Sequence, residues 1–191
     1  MPRLSRNPPV RVLFYGFGPY RKFNENITAK IIESLAPRPE LGKIVFPVRF
    51  QRRQFVEALR TLTPLMVVGL GQSSRPRIEV ETRAINRRRA SKASAPRSIT
   101  AGGNAWMPAT MPLSVTRPAP KSINAGDYVC NFSMYVMLEE LERQDHNGRF
   151  AFVHIPFNHD LQAARRYVER IVGKCFELAD RLERDRAAKC G

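Results

Sequence analysis

Apolar runs alternate with stretches of helical periodicity along most of the chain. Val10 to Tyr15 reads as a buried strand. Thr28 to Leu35 reads as a helix stopped by Pro37 and Pro39. Lys43 to Val48 is a second strand, and from about Gln51 to Leu62 the residues Phe55, Ala58, Leu59 and Leu62 share one helical face. Leu65 to Leu70 is a third strand, closing in Gly69-Leu70-Gly71. Ile78 to Asn86 sets Ile78, Val80, Thr82 and Ala84 against Glu79, Glu81, Arg83 and Ile85, the period of one further strand. Cys130, Met134, Met137, Leu138 and Leu141 fall at helical spacing, and Arg149 to Pro156 is again a strand. A long helix follows from about Leu161 to Asp185, with residues 186–191 expected to fray.

Strands alternating with helices predict one α/β domain over residues 1–191, a three-layer α/β/α arrangement around a largely parallel sheet. In such sheets reactive groups gather at strand ends. Residues 1–9 read as a basic, proline-rich, flexible N-terminus. The stretch from 87 to 121 collects Ser, Pro, Gly, Ala and basic residues without a sustained period, so it reads as a long loop, and it holds the single Trp106. Loops of that length inside a domain are often functional.

Composition narrows the setting. At 191 residues, with 43% hydrophobic and 26% charged, the chain is an ordinary globular sequence able to bury one full core. No window approaches the ~18 consecutive apolar residues of a membrane span, and the N-terminus lacks a signal-peptide core. Cys130, Cys175 and Cys190 are widely spaced, without a CxxC pair. They suggest neither a disulfide framework nor a zinc site, but a reducing, cytoplasmic protein. The net charge of +15 admits a polyanionic partner. The basic residues are scattered, however, and no helix-turn-helix, zinc-finger or aromatic RNA-binding pattern accompanies them, which argues against nucleic acid as the working partner.

Three residues at strand or helix ends could carry chemistry. Cys130 opens a helix, where unpaired N–H groups and the positive end of the dipole favour a thiolate and could hold an oxyanion. His154, near a strand end, could take the thiol proton and return it to a leaving amine. Glu81 could orient the imidazole as third member of a triad. Each also has a plain structural reading. Cys130 is in phase with a buried stripe, a strand-end histidine is often only hydrogen-bonded in place, and Glu81 alternates outward like a surface carboxylate. Cys175 reads as core and Cys190 as tail, and His146 and His159 as loop residues. Gly16-Phe17-Gly18 lacks the Lys-Ser/Thr of a phosphate loop. Pattern and spacing leave both readings open.

Several segments together resemble the pyroglutamyl peptidase I family. They are YGFGPY (Tyr15 to Tyr20) with Asn24 to Thr28, GLGQ (Gly69 to Gln72), IEVETRAIN (Ile78 to Asn86), AGDYVCN (Ala125 to Asn131) and FVHIPF (Phe152 to Phe157). The order Glu, Cys, His along the chain is also the family's. The resemblance spans residues from about 10 to 175. It implies a mixed sheet flanked by helices, and a Cys130-His154-Glu81 triad that hydrolyses the amide after an N-terminal pyroglutamyl residue. It further implies no metal or cofactor, and an apolar lactam pocket to which Phe17, Tyr20 and Gln72 contribute. The partner is a peptide with N-terminal pyroglutamate, and the family habit implies a homo-oligomer.

The chain departs from the family at Arg21-Lys22, at Asn26-Ile27-Thr28, at Arg87-Arg88-Arg89 and at Ser91, where the family carries an arginine. The family's helix and strand before the cysteine motif are compressed into Met111 to Asn124. Two rival readings follow. In one, the basic stretch Arg87 to Arg97 turns the hydrolase toward acidic peptides or another amide. In the other, a diverged, catalytically weak or inactive member binds peptide or polyanion through its basic surface.

Overall fold

The computed structural model describes residues 8–20, 23–113, 119–144 and 148–190, the side chains of Lys189 and Cys190 apart. In chain order the first elements are β1 (Val12–Phe17), α1 (Ile27–Ser34), β2 (Leu41–Phe46), α2 (Arg52–Leu62), β3 (Met66–Ser73) and β4 (Glu79–Glu81). There follow β5 (Arg83–Ile85), β6 (Trp106–Pro108), β7 (Lys121–Ser122), α3 (Val129–Arg143), β8 (Arg149–Pro156) and α4 (Leu161–Cys190).

Six strands form one sheet in the order β2-β1-β3-β8-β4-β7. The four from β2 to β8 are parallel, β4 runs antiparallel to β8, and β7 runs parallel to β4. Side chains alternate between faces, and both faces are covered. Val12 and Phe14 of β1, Val68 and Leu70 of β3, and Val153 and Ile155 of β8 pack with α1 and α4. Leu13, Tyr15, Val67, Phe150 and Phe152 point the other way, against α2 and α3. Burial on both faces explains why these strands read as apolar runs instead of alternating ones. The mixed, largely parallel sheet between two helical layers is the fold expected above.

The α2/α3 side of the sheet is built on aromatic rings. Tyr15, fully buried, meets Phe46 at 5.5 Å, Phe17 at 5.8 Å and Phe152 at 6.3 Å between centroids, mostly edge to face. Space for these rings comes from Gly69 on the neighbouring strand. A Cβ there would stand 2.4 Å from Phe152 Cδ2 and 2.5 Å from the Tyr15 hydroxyl. Gly69→Ala is therefore expected to cost about 1–3 kcal/mol of stability through overpacking. A urea titration read by near-UV dichroism checks this, and an unchanged midpoint would show that the rings yield freely.

Three sequence expectations meet a different outcome. Ile78 to Asn86 is not one strand. β4 stays in the main sheet, while β5 leaves it to pair antiparallel with β6. The break falls at Thr82, whose N–H donates to Ser122 O at 2.7 Å and whose carbonyl accepts from Ala109 N at 2.9 Å. Within the stretch read as a loop, residues 106–108 thus form a strand, and Asn86 organises much of the remainder. Its Oδ1 accepts from the N–H groups of Ile99 and Thr100, and its amide donates to the carbonyls of Thr100 and Gly103. The final helix runs on to Cys190 instead of fraying after Asp185. The apolar stripe ends near Leu182, but residues of good helix propensity such as Arg184, Ala187 and Ala188 follow.

Lys121–Ser122 is a short strand in the compressed segment before the cysteine motif. Residues 1–7 of the basic N-terminus, Arg21-Lys22, residues 114–118 and His146 lie outside the described residues. No helix among the described residues is long and apolar enough to cross a membrane.

Candidate active site

The site follows from the register of three strands. β8 lies between β3 and β4, and its His154 stands opposite Gly71 on one side and Glu79 on the other. Glu81 stands opposite Phe152, which puts it on the face that Phe152 and His154 share. Diagonal neighbours of this kind are about 7–8 Å apart, within reach of a long side chain. The contact is made, with His154 Nδ1 2.7 Å from Glu81 Oε1. Glu81 is fully buried, so its expected outward position is corrected. That face of β4 is covered by protein, while Val80 supplies the opposite, apolar side.

Cys130 is the second residue of α3, which approaches the same face. It is partly exposed, and its Sγ and the His154 ring meet over Gly71, where an added Cβ would stand 2.9 Å from the sulfur and 2.8 Å from His154 Cδ2. Since Nδ1–H donates to Glu81, the other ring nitrogen, Nε2, is the one left for the thiol. Tyr128, the N-cap, makes no side-chain cap hydrogen bond to the first-turn amides. The turn is steadied from below, where Tyr15 and Ser133 hydroxyls are 3.0 Å apart and Ser133 Oγ donates to Cys130 O at 2.9 Å. Cys175, by contrast, is wholly buried in the α4 layer, where burial pushes its thiol up to about 12.

Charge in this chain of groups is set by two opposing effects. Burial alone disfavours the imidazolium. Hydrogen bonds and charge from Cys130 and Glu81 outweigh it and push the His154 pKa up to about 9. Burial would likewise push the Glu81 carboxyl up. The hydrogen bond and charge of His154, with Ser122 and Arg75, hold it below the ordinary carboxylate range instead.

Two residues that the sequence reading gave no role also stand here. The Arg75 guanidinium lies 2.7 Å from Glu81 Oε1. Asn131, next to the cysteine, accepts from Ile85 N and donates to the carbonyls of Ile85 and Arg87, fastening β5 to the start of α3. An asparagine on a helix face that is otherwise apolar is the sequence signal that could have drawn attention to it.

A cavity of about 370 Å³ adjoins the start of α3, lined by Tyr20, Arg89, Ser91, Lys92, Asp127 and Tyr128. The Tyr20 and Tyr128 rings are 5.1 Å apart, so the loop after β1 reaches the residues just before Cys130. That loop is anchored by Asn26, which caps α1 through Thr28 N and donates to Gly18 O at 3.1 Å. The other two expected lactam contacts lie elsewhere. Phe17 is 2% exposed, with its ring in the core against Tyr15. Gln72 Oε1 accepts from Ile27 N at 3.0 Å, and its side chain lines a separate cavity with Phe23 and His159. Arg87 and Arg89 turn onto Asp127, Arg89 Nε at 3.0 Å from its carboxylate, which brings a guanidinium to the cavity wall that Ser91 shares.

A family model described as pyroglutamyl peptidase matches residues 10–166. A pyrrolidone-carboxylate peptidase of Saccharolobus islandicus is 27% identical over 177 residues, covering 82% of this chain and 83% of the relative. That of Halalkalibacterium halodurans is 31% identical over 173 residues, covering 80% and 86%. Among solved structures, pyrrolidone carboxyl peptidase from Thermococcus litoralis superposes with a TM-score of 0.81 at 22% identity, covering 92% of this chain and 96% of its own. Pyroglutamyl peptidase I from Bacillus amyloliquefaciens gives 0.75 at 23% identity, covering 85% and 92%.

Proposed function

The chain belongs to the pyroglutamyl peptidase family, and on that premise we propose that it hydrolyses the amide after an N-terminal pyroglutamyl residue with Cys130, His154 and Glu81. The observation that carries the reading is the alignment of a partly exposed thiol at a helix start, one buried imidazole beside it, and one buried carboxylate bonded to that imidazole.

With its proton held on His154 Nε2, Cys130 Sγ attacks the lactam-bearing carbonyl carbon. The carbonyl oxygen, now negative, is held by amides of the first turn of α3, which a side-chain cap would otherwise occupy. His154 then protonates the departing amine as the C–N bond breaks, leaving a thioester on Cys130. Water, deprotonated by His154, cleaves that thioester to free pyroglutamate and restore the thiol. Glu81 keeps the imidazole in the tautomer and orientation that both proton transfers need. The lactam is assigned to the cavity at the residues leading into α3, with Tyr20 and Tyr128 as aromatic walls, a suitable surface for a small uncharged ring. Phe17, at the end of β1, packs its ring on Tyr15, and Gln72 seats the first residue of α1, so both serve the frame of the site instead of the cavity wall. The pairing of Arg89 with Asp127 at 3.0 Å favours this reading over a surface devoted to polyanions.

Selectivity for the lactam tests the assignment. A site that pairs with the ring's amide edge rejects an analogue lacking it, because buried partners are left unmade. With fluorogenic amides, kcat/KM for the pyroglutamyl substrate is expected to exceed that for the prolyl one by about a hundredfold or more. Equal or faster cleavage of the prolyl amide would overturn the assignment.

A further inference from the structure

We propose that Arg75 is a positioning residue of the catalytic site, a strut that fixes the Glu81 carboxylate and the approach to the cysteine helix together. The inference rests on the triad reading above. Arg75 lies in the turn between β3 and β4, with its side chain 28% exposed. Its Nη1 donates to Glu81 Oε1 at 2.7 Å, the same oxygen that His154 Nδ1 meets at 2.7 Å. Nη1 also donates to Ser122 Oγ at 3.1 Å and pairs with Glu79, while Nη2 donates to the Asn124 carbonyl. Asn124 Oδ1 in turn accepts from Gly126 N at 3.0 Å, in the turn leading to α3. One planar guanidinium thus joins the acid on β4 to β7 and to the segment that delivers Cys130, a span that a point charge on a lysine stem cannot reproduce.

Two consequences follow for the chemistry. With two donors on one oxygen, Glu81 cannot swing away from the imidazole, so the tautomer that presents Nε2 to the thiol is held. The cation also draws on the charge of Oε1, which limits how strongly Glu81 retains the proton on His154. The titratable and charged groups around the imidazole, among the described residues, are Cys130 from α3, Glu81 and Glu79 from β4, and Arg75 from the turn. Removing a cation from such a cluster makes every nearby proton harder to lose. Arg75→Gln therefore leaves an imidazolium too stable to give its proton readily to the leaving amine.

The test follows the imidazole of His154 by nitrogen-15 NMR in substrate-free protein, alongside kcat and KM on a pyroglutamyl amide. In Arg75→Gln the His154 midpoint should move up by about one pH unit. In the same variant kcat should fall about tenfold or more, with KM within about twofold. Arg75→Lys keeps the charge but not the span, so its midpoint should stay near that of the unmodified protein while kcat still falls. An unmoved midpoint and an unchanged kcat in folded Arg75→Gln would reduce Arg75 to a fold clamp and overturn the proposal. If Arg75→Gln does not fold, Arg75→Lys decides, and full kcat in that variant overturns it. Should the unmodified protein cleave no pyroglutamyl amide, the triad reading fails on its own, and the titration still tests Arg75.

Discussion

Cys130→Ala is expected to lower kcat/KM on a pyroglutamyl amide by about 10,000-fold or more, to the level that binding and polarisation without a nucleophile can sustain. Among the described side chains no other thiol can stand in. Cys175 lies in the α4 layer with no exposure, where burial pushes its thiol up to about 12. The fold should tolerate the change. Cys130 is partly exposed in the first turn of its helix, and losing one sulfur there should cost about 1 kcal/mol or less. Activity and stability should therefore separate cleanly. A variant that keeps even a tenth of its turnover would remove Cys130 from the mechanism.

Gly71→Ala is expected to cost about a hundredfold in kcat although it removes no functional group. Gly71 faces His154 across the β3–β8 pair. A Cβ added there would stand 2.7 Å from Phe152 Cε1, 2.8 Å from His154 Cδ2 and 2.9 Å from Cys130 Sγ. Those separations are shorter than side-chain carbons tolerate, so a neighbour must move. Phe152 is fully buried and Glu81 holds the imidazole, which leaves the thiol–imidazole contact to lengthen. Misplacement by about 1 Å in a proton-transfer pair is enough for the stated loss. Steady-state kinetics with a thermal melt as control checks it. Near-normal kcat in Gly71→Ala would mean that the groups work without the close contact on which the proposed mechanism depends.

The sequence was most legible where burial is complete. Runs such as Leu65 to Leu70 and Arg149 to Pro156 declare themselves because both faces of the sheet are covered, and the helices because their apolar stripes are sustained. The division of Ile78 to Asn86 was not legible, since alternation continues through Thr82 without a glycine or proline to mark the exit of β5. The same alternation assigns Glu81 to solvent, because periodicity cannot tell water from a layer of protein. Strand and helix ends offer Cys130, His154 and Glu81 as a possible triad, but only the family resemblance prefers it over their plain structural readings, as their spacing in sequence carries no sign that register and helix approach bring them together. Arg75 sits in Ser73-Ser74-Arg75-Pro76-Arg77, a string that reads as a turn with solvated charges, and its contacts appear only when β7 and the Asn124 turn fold beside β4. Phe17 falls in phase with Tyr15 because β1 runs two residues past the apolar stretch Val10 to Tyr15, and that extension places it in the core instead of the pocket.

The most direct measurement is graded alkylation of the purified protein with iodoacetamide while pyroglutamyl amide hydrolysis is followed, with the modified fraction of Cys130 read by peptide mass spectrometry. The protein is expected to cleave the substrate and to lose activity in proportion to Cys130 modification, reaching zero when that residue is fully blocked. Hydrolysis that persists with Cys130 fully alkylated, or a folded and reduced protein that never cleaves the substrate, would contradict it.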